Sequence, residues 1–293
     1  MELLKPGDTV GIVSPSHVAD RAEYHSYARG LEKLGLQVRL GENIDKDTWG
    51  YVAGARERAD DFNAMVRDGA VKMVFFGGGQ GAVDLLPLLD YQAVRRSPKL
   101  YLSYSDGTSI LDAIYAKTGI VTYYGQTPAL YGGVSPYDLG QFTAHFLRGG
   151  PAAHTPGGPW RTIAGGRCQG CLLGGYLVNF ALSLGSPHFP FPRDKKYILF
   201  LEESERFHSV PDAGIFLSYI EQHPLMEQVT GLLFGHYADP VPPALLDLLR
   251  RLGERRSIPV AYCGDFGHGS RHAILPIGRE ACLDAGGQTL RFL

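Results

Sequence analysis

The chain has 293 residues, 44% of them hydrophobic and 20% charged, with a formal net charge of −2. That length can bury one large core or two ordinary ones, and two domains is the better expectation. The near-neutral balance lacks the basic stripe of a nucleic-acid-binding surface, and no apolar run approaches the roughly 20 residues of a membrane span.

The opening "MELLKPGDTVGIVSPS" is interrupted by Pro6, Gly7 and Asp8 before an apolar signal-peptide core can form, so a cytoplasmic protein is expected. From there strand and helix signals alternate. Strands are predicted at 8–14, 36–40, 71–76, 99–104 and 120–125, and helices at 21–35, 55–69, 81–90 and 108–119. This order implies a parallel sheet with helices on both faces, and the runs that are apolar throughout, such as 71–76, suit its central strands. Ligands of such sheets sit at the carboxyl ends of the strands, which here are the loops after 76 and after 104. A helix at 136–148 follows, and then the Gly- and Pro-rich "RGGPAAHTPGGPWRTIAGGR", read as a linker or lid. The second half mixes helical signals at 176–184, 211–223 and 242–252 with strands at 197–202, 229–235, 258–263, 272–276, 280–284 and 288–292. The expected organisation is an α/β domain over 1–150, a linker or lid at 151–166, and a β-rich α+β domain over 167–293.

The stretch "KLYLSYSDGTSILDAIY" takes a strand directly into a helix, with Ser105 at the turn. Ser103 and Gly107 flank it at two residues on either side. Small residues at those offsets are what a nucleophile elbow needs, because the turn is too tight for larger side chains. A serine so placed lies at a helix N-terminus, where free N–H groups favour developing negative charge. The same residues, Ser105 or Asp106, also suit a simple helix N-cap. The glycine cluster in "FFGGGQGAVDLL" has the layout of an anion cradle or a second oxyanion donor, but lacks the spacing of a P-loop or a dinucleotide site.

A serine nucleophile needs a base and a group to orient it. Glu202 stands at the tip of an apolar strand in "YILFLEESERFH", and His268 lies between two glycines in "CGDFGHGSRHAILPIG". Taken singly, each also suits an ordinary loop or ion-pair role. Cys168 and Cys171 form a C-x-x-C with no second close pair to complete a zinc ribbon and no thioredoxin-like context, so four reduced thiols and no metal are expected.

Together these segments resemble the LD-carboxypeptidase family of serine peptidases, over nearly the whole chain. "LKPGDTVGIVSPS" is similar to that family's first strand, "FFGGGQGAVDLLPLLDY" to its glycine loop, and "LSYSDGTSIL" to its nucleophile segment. "CLLGGYLVNFALSLGSP" resembles the start of its second domain, and "ILFLEE" and "FGHGSRHAILPIG" its glutamate and histidine segments. The resemblance implies a glutamine-amidotransferase-like α/β domain joined to a β-rich domain, frequently dimeric and cytosolic. It implies Ser105 as nucleophile, His268 as general base and Glu202 as the residue orienting it, with the Asp106 and Gly79 N–H groups as oxyanion hole and no cofactor. The implied substrate is a small peptide with a free carboxylate, a murein tetrapeptide that loses its terminal D-alanine in cell-wall recycling. Two family arginines are replaced, by Gly77 and Ala213. Gly78, Arg206 and Arg271 are the remaining candidates for substrate contact. A related branch, the microcin C self-immunity peptidases, cleaves peptidyl-nucleotides; for that substrate Trp160 would be a stacking platform. A non-catalytic sensor of small anions at the glycine loop is the third reading.

Overall fold

The computed structural model describes residues 3–293 and is built on two sheets. In the first half β1 (Thr9–Val13), α1 (Arg21–Glu32), β2 (Gln37–Leu40), α2 (Ala55–Arg67), β3 (Val71–Phe76), α3 (Tyr91–Arg96), β4 (Leu100–Ser103), α4 (Thr108–Thr118) and β5 (Thr122–Tyr124) alternate as expected, followed by α5 (Pro136–Phe142). The five strands pair in parallel in the order β5-β4-β3-β1-β2. The apolar runs have no polar face because both faces are covered. Met73 and Phe75 enter one core, while Val74 and Phe76 enter the other.

Two helices differ from expectation. Instead of a helix over 81–90, a 3₁₀ turn occupies Ala82–Leu85 and α3 begins later, because the Asp90 side chain accepts from the Ala93 N–H at 2.9 Å and caps a new start. The helix expected over 136–148 gives way after Phe142 to a π-helical turn, Thr143–Leu147.

The second half contains β6 (Arg161–Ala164), β7 (Arg167–Tyr176), α6 (Leu177–Ser183), β8 (Tyr197–Glu202), α7 (Val210–Gln222), β9 (Val229–His236), α8 (Pro243–Arg256), β10 (Val260–Gly267), β11 (Leu275–Ile277), β12 (Glu280–Asp284) and β13 (Thr289–Phe292). Its seven-stranded sheet runs β13-β12-β7-β8-β9-β10-β6. The middle four strands are parallel, and antiparallel strands close both edges. β11 leaves this sheet and pairs antiparallel with β5, Leu275 opposite Tyr124, so it forms the outer strand of the first sheet. The Gly/Pro-rich stretch is tied down rather than free: His154 and Trp160 are buried, and β6 pairs with β10. Among the described residues no helix is long and apolar enough to cross a membrane.

Helix α4 lies between the two sheets. Its Ile110, Leu111 and Ile114 are fully buried in one cluster with Leu172 and Leu173 of β7 and Phe180 of α6. Burying each such side chain contributes roughly 1.5–3 kcal/mol, so this interface fixes α4 and the turn that precedes it. The same helix carries Asp112, fully buried, with neither carboxylate oxygen partnered among the described residues. Burial pushes its pKa well above the ordinary carboxylate value. The unfolded chain therefore ionises first, and stability falls as pH rises above the unfolded value of about 4 towards the folded one. Asp112→Asn is expected to raise the melting temperature at pH 7–8 and to have little effect near pH 4; calorimetry at both pH values checks this, and an equal shift at both would refute it.

Candidate active site

Ser105 stands where β4 turns into α4, with φ at +56°, a left-handed conformation that an L-residue adopts only under constraint. The constraints are visible. Its N–H donates to the Tyr124 hydroxyl at 3.1 Å, and its carbonyl accepts from the Thr108 hydroxyl at 2.7 Å. The turn also has no room for larger neighbours. A Cβ at Gly107 would lie 2.0 Å from the Ser103 hydroxyl, and one at Gly78 2.5 Å from the Ser105 Cβ. The small flanking residues noted in the sequence are thus a steric requirement.

Capping takes a different form from that expected. Gly107, which has no side chain to offer, is the N-cap of α4. The Ser105 hydroxyl instead meets His268 Nε2 at 3.0 Å. The Asp106 side chain accepts from the Ala82 N–H at 2.7 Å and from Asn179 Nδ2 at 2.7 Å, clamping the glycine loop to α6. Its backbone N–H stays in the first turn after β4, where helical N–H groups have no intrahelical acceptor.

His268 follows β10 and is walled by the rings of Tyr104, Tyr176 and Phe207, at centroid distances of 4.6, 4.9 and 5.2 Å. Its Nδ1 lies 2.9 Å from Glu202 Oε2, which also accepts the His268 N–H at 3.3 Å. Glu202 is completely buried at the end of β8. Its second oxygen accepts from the Tyr124 hydroxyl. Burial, and then the Glu202 charge, push the Tyr124 phenol well above its ordinary range, so it remains a donor. Tyr124 therefore touches both ends of the chain Ser105–His268–Glu202: it accepts from the serine backbone and donates to the carboxylate. With Nδ1–H donated to Glu202, Nε2 is the edge that faces the Ser105 hydroxyl as an acceptor.

Ser105 opens onto a cavity of about 530 Å³. The glycine loop (Gly79 to Gly81), Asp106, Tyr176 and Asn179, and the loop Arg206–His208 line it. Of the candidate residues, Gly78 abuts Ser105, and Gly79 and Arg206 line the cavity. Two others do not face it. Arg271 Nε donates to Asp265 Oδ1 at 2.8 Å, and its side chain lies against Gly157 and Gly158. Trp160 is buried beside His154, at a centroid distance of 5.5 Å, leaving no face for a base to stack on. Sequence reasoning missed Tyr124, Asn179 and His208. Asn179 had left one signal, a lone amide in the apolar helix "YLVNFALSL".

The four thiols are free. Cys168 and Cys171 lie on one strand three residues apart, so their side chains leave opposite faces and cannot bridge. Burial pushes both to about 11, which keeps them protonated at neutral pH. Among the described residues, His154, Cys263 and Asp265 are close enough to share a metal ion. Their geometry fits a latch better. Asp265 already accepts from Gly157 N–H at 2.9 Å, and its oxygens face His154 Nε2 at 3.1 Å and Arg271. The arginine cation occupies the charge a metal would need.

A serine on a constrained strand-to-helix turn, bonded to a histidine that is bonded to a buried carboxylate between two α/β sheets, is an arrangement of the hydrolase class. The chain belongs to the LD-carboxypeptidase family: residues 10–125 match the LD-carboxypeptidase N-terminal domain and residues 169–283 the C-terminal domain. Among its relatives is a Bacillus subtilis protein described as a probable murein peptide carboxypeptidase, 29% identical over 98% of this chain and 92% of the relative. The Escherichia coli microcin C7 self-immunity protein MccF is 37% identical over a shorter span, 43% of this chain and 38% of the relative. The fold is that of an MccF-like protein from Bacillus anthracis, with a TM-score of 0.90, 24% identity, and coverage of 100% of this chain and 98% of that one.

Proposed function

We propose that this protein is a serine carboxypeptidase that hydrolyses an L,D-peptide bond and releases the terminal D-amino acid, D-alanine, from murein tetrapeptides. The observation that carries the reading is the hydrogen-bonded chain from Ser105 through His268 to Glu202, at 3.0 and 2.9 Å, at the wall of a cavity. In this reading His268 Nε2 takes the Ser105 proton as the hydroxyl attacks the carbonyl before the terminal residue. The Asp106 and Gly79 N–H groups receive the oxyanion. His268 then returns the proton to the leaving amine, and water hydrolyses the acyl-enzyme with His268 again as base. Glu202 holds the imidazole in the required tautomer, and Tyr124 holds Glu202.

The relative described as a murein peptide carboxypeptidase supports the murein substrate. The self-immunity relative supports the peptidyl-nucleotide alternative, but the ring suggested for stacking a base is buried away from the cavity. The deciding experiment incubates the protein with a murein tetrapeptide and, separately, with an aminoacyl-sulfamoyl adenylate. D-Alanine release from the first alone is expected. Cleavage of the second alone would replace this reading with the toxin one, and absence of any covalent adduct at Ser105 with a serine-reactive phosphonate would favour the sensor.

A further inference from the structure

The cavity holds a second glutamate–histidine pair. Glu202 is the last residue of β8 and Glu203 follows it, and their side chains turn to different histidines. Glu202 turns to His268. Glu203, equally buried, turns to His208: its Oε1 lies 3.2 Å from His208 Nδ1 and accepts the Ser204 N–H at 2.8 Å. The Tyr176 hydroxyl is 3.4 Å from the same Nδ1, and the Tyr176 ring stands between the two imidazoles, 4.9 Å from His268 and 6.4 Å from His208. His208 lines the cavity, with 28% of its side chain exposed. The other oxygen of Glu203 has no hydrogen-bond partner among the described residues.

Burial raises the Glu203 pKa above the ordinary carboxylate value, and the Ser204 N–H and His208 oppose that shift. With Oε1 of Glu203 beside Nδ1 of His208, the Nε2 edge of the ring is the one left to meet a ligand. Among the residues lining the cavity, only Arg206 and His208 can carry positive charge. Within a leaving amino acid the carboxylate carbon is two bonds from the amine, ~2.5 Å, so it stays in the cavity that the amine occupies. Tyr176 and Phe207 pack against His268, and His208 packs against Tyr176.

We propose that His208, held by the positioning residue Glu203, recognises the free carboxylate of the leaving residue together with Arg206, and so makes the cavity selective for carboxyl-terminal substrates in a chain that has Gly77 and Ala213 where the resembling family has arginines. This rests on the carboxypeptidase reading and adds the group that reads the substrate's terminus.

The test uses two aryl phosphonates that differ only one residue beyond phosphorus, one ending in a free carboxylate and the other in its methyl ester. Labelling of Ser105 is followed by intact mass in the wild type, His208→Gln and Glu203→Gln. The wild type is expected to react with the carboxylate probe about tenfold faster or more, the scale of one charge-assisted hydrogen bond. Both variants are expected to bring that ratio to within about twofold; because the ratio is taken within each variant, a loss of reactivity common to both probes cancels, and a purely structural role for the pair would leave the ratio unchanged. A wild-type ratio retained in both variants, or no preference in the wild type, overturns the inference while the nucleophile reading stands. Failure of the wild type to label with either probe overturns that reading and this inference with it.

Discussion

Ser105→Ala is expected to lower kcat for D-alanine release by ~10⁴-fold or more, the scale seen when a serine nucleophile is removed and only binding and the oxyanion hole remain. The substitution leaves the constraints on the turn in place. The Ser105 N–H still donates to Tyr124 and its carbonyl still accepts from Thr108, since both bonds are made by backbone atoms. Alanine bears the same left-handed φ at a similar cost, so the melting temperature should stay close to wild type. The check is a single-turnover assay with intact-mass detection of the acyl-enzyme. Retention of activity within tenfold of wild type, with the variant folded, would remove Ser105 from the mechanism.

Glu202→Gln is expected to lower kcat by roughly 10³- to 10⁴-fold, with a smaller effect on KM. The argument is one of proton placement. Glu202 is an acceptor at both oxygens, from His268 on one side and from the Tyr124 hydroxyl on the other. Glutamine offers one acceptor and one NH₂ donor. With its NH₂ towards His268, the imidazole must carry its proton on Nε2, where it faces Ser105 and cannot take the serine proton. With its NH₂ towards Tyr124, the hydroxyl loses the acceptor that fixes it beneath Ser105. Both orientations damage the site, so the loss should persist across the pH range; a variant restored to wild-type kcat at high pH would contradict this. The measurement is kcat and KM as functions of pH.

The sequence carried the first sheet clearly, because strands apolar on both faces alternate with helices of clear period. It hid the parallel middle of the second sheet, since parallel pairing there depends on β7, β8, β9 and β10 meeting across long intervening segments. At the site, Ser105, Glu202 and His268 left local marks: a tight turn, a carboxylate ending an apolar strand, a histidine between glycines. Tyr124 left none, because it reads as one more aromatic residue of a strand; its place follows only from the parallel register that sets Ser103 opposite Tyr124. Glu203 was hidden by its neighbour, as two adjacent glutamates look alike until the fold turns them to different histidines. Trp160 and Arg271 lie away from the cavity for one structural reason. Glycine and proline density suggests an open loop around Trp160, and Arg271 is a candidate by its nearness to His268 in sequence, whereas Asp265 draws His154, Gly157 and Arg271 together and closes that segment onto the second sheet.

The placement of β11 has a consequence for how such a protein can change. The segment that presents His268 runs on within a few residues into the strand that borders β5, and β5 ends in Tyr124. His268 and the support of Ser105 are thus stitched by one antiparallel seam. Neither half can be exchanged as a cassette without unpicking that seam. An ancestral recombination at the chain midpoint would have produced two pieces, one lacking the outer strand of its sheet and the other carrying a histidine with nothing to serve. Variation in the lining of the cavity is therefore freer in the Arg206–His208 loop, which lies outside both sheets, than in the hand-over of residues between them.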